Sequence, residues 1–193
     1  TPPTVSNLSA TESYTEDTPL NLTDIVIGDV GSASLTVTLT LSNPAAGALS
    51  TATAGAVTSV YNAASGVWSA SGGRADINAL LAGLVFNPSL NFNGDFSVAT
   101  SVHYGGAPAV TGSKAFTGIA VNDAPIATNL SAPETYTEDT PLNLTDIVVS
   151  DVDSANVTVT LTLSNTAAGA LSTATSNAVT STFAAGVWTA SGA

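Results

Sequence analysis

Leu35, Val37, Leu39 and Leu41 alternate with Thr36, Thr38 and Thr40. Strict alternation sends successive side chains to opposite faces of an extended backbone, so this run predicts a half-buried β-strand. Phe96, Val98, Thr100, Val102 and Tyr104 alternate with small or polar residues in the same way. Leu20 to Ile27 reads as another strand, and Thr4 to Thr11 as a weaker first one. Short strands are expected near residues 48–53, 56–61, 66–70, 85–86 and 115–121. Between them stand turn formers: Glu16-Asp-Thr-Pro19, Gly28 to Ser32, Asn43 to Gly47, Asn91 to Asp95 and Gly105-Gly106. One stretch departs from period two. Ile77, Leu80, Leu81 and Leu84 share one helical face, with Asp76 positioned to cap the helix start and Gly83 to close its end. The pattern predicts an all-β, antiparallel two-sheet sandwich with one helical crossover.

The pattern then repeats. Tyr14 to Val26 returns unchanged as Tyr136 to Val148, an offset of 122 residues taken from position 14 to position 136. Thr36 to Asn43 equals Thr158 to Asn165, and Ala45 to Thr53 equals Ala167 to Thr175. Gly66-Val-Trp68 then matches Gly186-Val-Trp188, so the offset falls to 120 and the second copy has lost two residues. The loss lies where Tyr61 to Gly66 becomes Phe183 to Gly186, which reads as a loop that tolerates length changes. A repeat of this period marks a tandem architecture. The boundaries expected are 1–121 for a complete repeat and 122–193 for the N-terminal part of a second. That second part has no counterpart to residues 73–121, so it is either truncated or completed by strands of another chain.

Composition narrows the function. Hydrophobic residues make up 44% of the 193, but charged residues only 8%, against about 25% in an average chain. Thr, Ser, Asn and Gly must therefore supply solubility. The net charge of −12, with Arg74 and Lys114 the only Lys or Arg, argues against nucleic acid and suits hard cations. Without Cys there is neither disulfide nor thiolate metal site. No apolar run is long enough to predict a transmembrane helix. The absence of Met is expected of a segment excised from a longer protein.

The succession TEDTPL (15–20 and 137–142), DINALLAGLVFNP (76–88), NFNGDF (91–96), VNDAP (121–125), DVDS (151–154), VTVTLTLS (157–164) and GVWTASG (186–192) resembles the cadherin-like tandem repeats of giant bacterial surface adhesins of the RTX type. That resemblance implies an extracellular stalk of Ig- or cadherin-like sandwiches whose linkers calcium stiffens. Val121-Asn-Asp-Ala-Pro125 is similar to a cadherin linker, and Asp151-Val-Asp153 stands where such a repeat presents its Asp-x-Asp. On this resemblance Glu16, Asn122, Asp123, Asp151 and Asp153 converge as oxygen ligands for Ca²⁺, a cation that takes six to eight oxygens. Asp76 and Asp95 are further candidates at that end, and Glu138 at a downstream linker. The first copy has Thr1 in place of Asp123 and Gly31 in place of Asp153, which removes two ligands from a site at its own start.

No catalytic constellation is expected. His103, the only histidine, has no motif around it and reads as a strand residue facing solvent. Lys114, the only lysine, has no sequence feature that marks an isopeptide staple. Trp68 and Trp188 read as core. The function expected is a non-catalytic spacer of a secreted or cell-surface adhesin, partnered by neighbouring repeats or further copies of itself. A subunit of an extracellular filament completed by strand exchange and a glycan-binding module are the alternatives.

Overall fold

A computed structural model describes residues 4–28 and 34–193. Thr1 and most of the loop expected at Gly28–Ser32, with its Asp29 and Gly31, lie outside the described residues. The chain divides into two compact units, Thr1–Val121 and Asn122–Ala193.

In the first unit the strands are β1 (Val5–Ser6), β2 (Glu12–Thr15), β3 (Leu20–Asn21), β4 (Val26–Ile27), β5 (Leu35–Leu41), β6 (Gly47–Leu49), β7 (Thr53–Ala54), β8 (Val57–Thr58), β9 (Val60–Asn62) and β10 (Val67–Gly72). The helix α1 (Arg74–Ala82) follows, then β11 (Val85–Pro88), β12 (Phe96–Tyr104) and β13 (Val110–Ile119). A six-stranded sheet runs β2-β13-β12-β5-β10-β9 and a three-stranded sheet runs β3-β11-β6. The helix leaves the larger sheet after β10 and delivers the chain to the smaller one at β11, which is the crossover the sequence predicts.

The core forms from inward positions of both sheets. Leu35, Val37, Leu39 and Leu41 of β5, Val98 and Val102 of β12, and Trp68 of β10 are all buried. Leu49 and Phe86 come from the smaller sheet, and α1 adds Ile77, Leu80 and Leu81. Phe86, Phe96 and Phe116 lie with ring centroids 4.7–5.5 Å apart, and Tyr14 meets Phe86 edge-on at 5.3 Å. Each large apolar side chain buried this way contributes about 1.5–3 kcal/mol.

Four details differ from the sequence reading. Leu20–Ile27 is not one strand. Leu20-Asn21 pairs with β11, whereas Val26-Ile27 pairs with β1, so the chain must leave one neighbour to reach the other. Asp76 does not cap α1. Gly73 holds the cap position, and Asp76, one turn in, accepts from the Ala56 N–H at 3.2 Å. The pairing is not wholly antiparallel, because β2 joins β13 in parallel, Glu12 opposite Phe116. The last strand starts at Val110 rather than Ala115.

The second unit contains β14 (Ile126–Ala127), β15 (Val149–Ser150), β16 (Val157–Thr162), β17 (Thr175–Ser176), β18 (Val179–Thr180), β19 (Thr182–Ala184) and β20 (Val187–Gly192). Its registers repeat those of the first. Trp188 opposes Leu161 as Trp68 opposes Leu39, and Val187 opposes Thr162 as Val67 opposes Thr40. Local details repeat too. Asn43 and Asn165 each accept a backbone N–H from the residue two positions on, which starts a short 3-10 turn. Asn7 and Asn129 both adopt positive φ and donate to the carbonyls of Asp24 and Asp146.

Candidate metal site around Asp123, Asp151 and Asp153

Three of the five expected ligands, the aspartates, are joined by bonds from a backbone N–H to a carboxylate. The Asp123 N–H donates to Asp153 Oδ2 at 2.5 Å, and the Asp153 N–H donates to Asp151 Oδ1 at 2.9 Å. Ser154 adds a second N–H to the same Asp151 oxygen at 2.7 Å. The spacing explains the turn. An Asp whose side chain accepts from residues two and three positions on replaces a backbone turn. Asn122 lies beside this group, exposed, with its side-chain amide donating to the Asp123 carbonyl at 2.8 Å.

The donor set fits a hard cation by type, since carboxylate and amide oxygens are what Ca²⁺ takes. Asp151 Oδ2 and Asp153 Oδ1 take no part in the bonds just described. Among the described residues, however, no three His, Cys, Asp or Glu side chains converge on one point. The arrangement is a loop in which acids are tied to backbone N–H groups.

Glu16 belongs to the first unit and is only 1% exposed. Its carboxylate accepts from Asn93 Nδ2 at 3.1 Å and from the Val121 N–H through a very short contact. Its own N–H donates to the Ile119 carbonyl at 3.0 Å. A buried carboxylate is retained where such donors satisfy it. Glu16 therefore pins the last residues of the first unit. Asp95 is engaged similarly, accepting from the Gly118 N–H at 3.0 Å. Glu138, like His103, is exposed.

Tyr14 stands over this end of the unit. Its hydroxyl donates to the Gly94 carbonyl at 2.6 Å, and burial, followed by the charges of Asp95 and Glu16, pushes its pKa above the ordinary tyrosine value.

Sequence reasoning missed a buried ion pair. Lys114 is fully buried in β13 and donates to Glu12 Oε1 of β2 at 2.7 Å and to the Ala10 carbonyl at 3.2 Å. Glu12 also accepts from the Thr23 N–H at 2.9 Å and the Thr23 hydroxyl at 3.2 Å. Parity was the available signal. Lys114 alternates inward with Phe116, and a strand begun at Ala115 hides that.

The second unit leaves its counterpart of the core open. A groove of about 670 Å³ is lined by Glu134, Tyr136, Leu142, Leu144 and Trp188, among others. Tyr14 is 1% exposed, while its equivalent Tyr136 is 70% exposed. Trp188, expected in the core, is only partly buried. It still donates to the Ser172 carbonyl at 3.0 Å, as Trp68 does to Ser50.

No protein-family model and no curated protein matches the chain. Among solved structures it aligns over 99% of its length, at 13% identity and TM-score 0.39, with protocadherin gamma B2 extracellular cadherin domains 3–6. It also aligns over its full length, at 11% identity and TM-score 0.37, with a protocadherin gammaB7 EC3–6 cis-dimer structure. It spans 38% and 39% of those two chains.

Proposed function

We propose that this chain is a non-catalytic structural repeat of a secreted or cell-surface adhesin, a spacer whose linker takes up calcium. The observation that carries the reading is the shared register of β5 with β10 and of β16 with β20. Two copies follow one plan, and the second begins with Asn122-Asp-Ala-Pro125. A tandem array of this kind presents length rather than a pocket.

What supports calcium is the oxygen chemistry of a loop in which the Asp123 N–H binds Asp153 and the Asp153 N–H binds Asp151, and a divalent cation would have to draw the three carboxylates together. Asn122 supplies a neutral oxygen beside them. Calorimetric titration of the full chain with calcium tests this, run beside an Asp123→Ala, Asp153→Ala variant. The reading expects heat and a raised melting temperature in the wild type only. Equal responses in both chains count against it.

The open groove favours a second reading, a filament subunit completed by strand exchange. Fibre growth by the purified chain supports that reading, and a monomer in ultracentrifugation removes it. The groove does not favour a sugar platform. Tyr136 and Trp188 are the counterparts of Tyr14 and Trp68, which in the first unit are core.

A further inference from the structure

We infer that Asn93 is a self-modifying site: its side-chain amide is lost to attack by the Gly94 backbone nitrogen, and that loss irreversibly loosens the last residues of the first unit. Asn93-Gly94 is the only Asn-Gly step in the chain. Gly94 has no Cβ to shield its nitrogen from the preceding side chain, so this dipeptide closes on itself more readily than one with a larger second residue. The step lies in the loop between β11 and β12, ahead of Phe96, where β12 begins. Asn93 is exposed there, and the Gly94 nitrogen is not locked into the sheet. The partner makes the position consequential. Asn93 Nδ2 donates to Glu16 Oε2 at 3.1 Å, while Glu16 Oε1 accepts from the Val121 N–H. The Asn93 carbonyl oxygen lies against Gly118, where an added Cβ would come within 2.1 Å of it.

The reaction needs only water besides the chain. The Asn93 side chain leaves Glu16 and turns back on Gly94. The Gly94 nitrogen, giving up its proton, bonds to Asn93 Cγ; the Cγ–Nδ2 bond breaks, and ammonia departs with that proton. Water then opens the cyclic imide, and the nitrogen regains a proton. Attack at Cγ restores the original backbone and leaves an aspartate. Attack at the backbone carbonyl carbon routes the chain through the side-chain carboxyl as an isoaspartate. Until the amide is lost, parting from Glu16 is reversible. Afterwards a carboxylate faces the Glu16 carboxylate, which is 1% exposed and now short of one donor. Like charges repel, and a buried acceptor left unsatisfied is costly. In the isoaspartate the extra backbone atom also displaces the carbonyl packed against Gly118. Both products weaken the hold of Glu16 on Val121, the residue at which the first unit ends.

The test incubates the full chain in heavy-oxygen water at neutral pH, below its melting temperature, beside a synthetic peptide of residues 90–97 as the unfolded reference. Peptide mapping by mass spectrometry should find heavy oxygen entering at Asn93, and far less at the other asparagines. Gly94→Ala should slow the conversion several-fold. Asn93→Asp, made directly, should lower the first unit's melting temperature by several degrees and speed amide exchange at Val121. Adding Glu16→Gln should restore part of both losses, because a glutamine amide can donate to the new carboxylate. Lost packing alone would not be rescued that way. Three results overturn the inference: an unlabelled Asn93 in the folded chain once the peptide has converted, an Asn93→Asp variant whose Val121 exchanges at the parent rate, or no rescue by Glu16→Gln. None involves calcium, so this failure is separable from failure of the spacer reading.

Discussion

Lys114 of β13 and Glu12 of β2 meet at 2.7 Å inside the first unit, with 0% and 5% of their side chains exposed. The pair bridges the only parallel junction described in the larger sheet. Removing one partner leaves a buried, uncompensated charge. Lys114→Met is therefore expected to cost about 3–5 kcal/mol. Lys114→Met combined with Glu12→Gln should recover a large part of that loss, because no charge then remains buried. Urea denaturation followed by Trp68 fluorescence measures both. A Lys114→Met loss comparable with that of a surface substitution would show that the pair is not buried in solution.

Tyr14 gives the first unit a dependence on alkaline pH. Its folded pKa lies above the unfolded value of 10.0, mainly through burial, with Asp95 and Glu16 adding to the shift. Tyr61 is raised by burial as well, and its hydroxyl donates to the Gly47 carbonyl at 3.0 Å. The unfolded chain releases these protons first. Their contribution is therefore complete below about pH 10 and is lost as pH rises through the folded pKa values. Denaturation midpoints should fall steeply above that point in the wild type and less steeply in Tyr14→Phe. Parallel curves for the two would place Tyr14 in contact with water.

Much of this fold is legible in the sequence, because burial is one-sided and periodic. The alternation of β5 and the buried face of Ile77, Leu80 and Leu81 match the structure, and Leu84, past the end of α1, is buried as well. What local pattern does not contain is the identity of the neighbour. Leu20–Ile27 reads as continuous, but its two ends join different sheets. Asp76 has the composition of a cap, yet Gly73 takes that position and the Asp76 carboxylate accepts from the Ala56 N–H. At the site, the short-range contacts of Asp151 and Asp153 follow from spacing. Glu16 accepts from Val121 across 105 positions, and no local signal encodes that.

Gly118 is held by contact rather than by conformation. A Cβ built there would lie 2.1 Å from the Asn93 carbonyl oxygen and 2.9 Å from the Tyr14 hydroxyl oxygen. The first is backbone, so it cannot rotate aside. Gly118→Ala should destabilise the first unit by about 1–3 kcal/mol, the range for overpacking. Gly106→Ala is the control, since nothing lies within 4 Å of its added Cβ. Thermal melts of the two variants should separate clearly. Equal melts would show that β13 has room to move away from Asn93.

Equal sequence in unequal surroundings yields the last prediction. β5 and β16 share the run Thr-Val-Thr-Leu-Thr, and each pairs in the same register with a tryptophan-bearing strand. β5 lies between β10 and β12, with Leu39 fully buried. β16 has β20 on one side and, among the described residues, no strand on the other. Leu161 is accordingly only partly buried. A strand with an open edge loses its hydrogen bonds by local opening, while a central strand keeps them until the whole unit unfolds. Amide exchange in β5 and β10 should therefore track global unfolding, whereas β16 and β20 exchange far faster. Leu39→Ala should cost about 2–5 kcal/mol, as a fully buried leucine does. Leu161→Ala should cost a small fraction of that, since water already reaches the side chain. Equal protection in the two ladders would mean that the second unit is covered in solution by another molecule, and protection that falls on dilution would identify that molecule as a second copy of this chain.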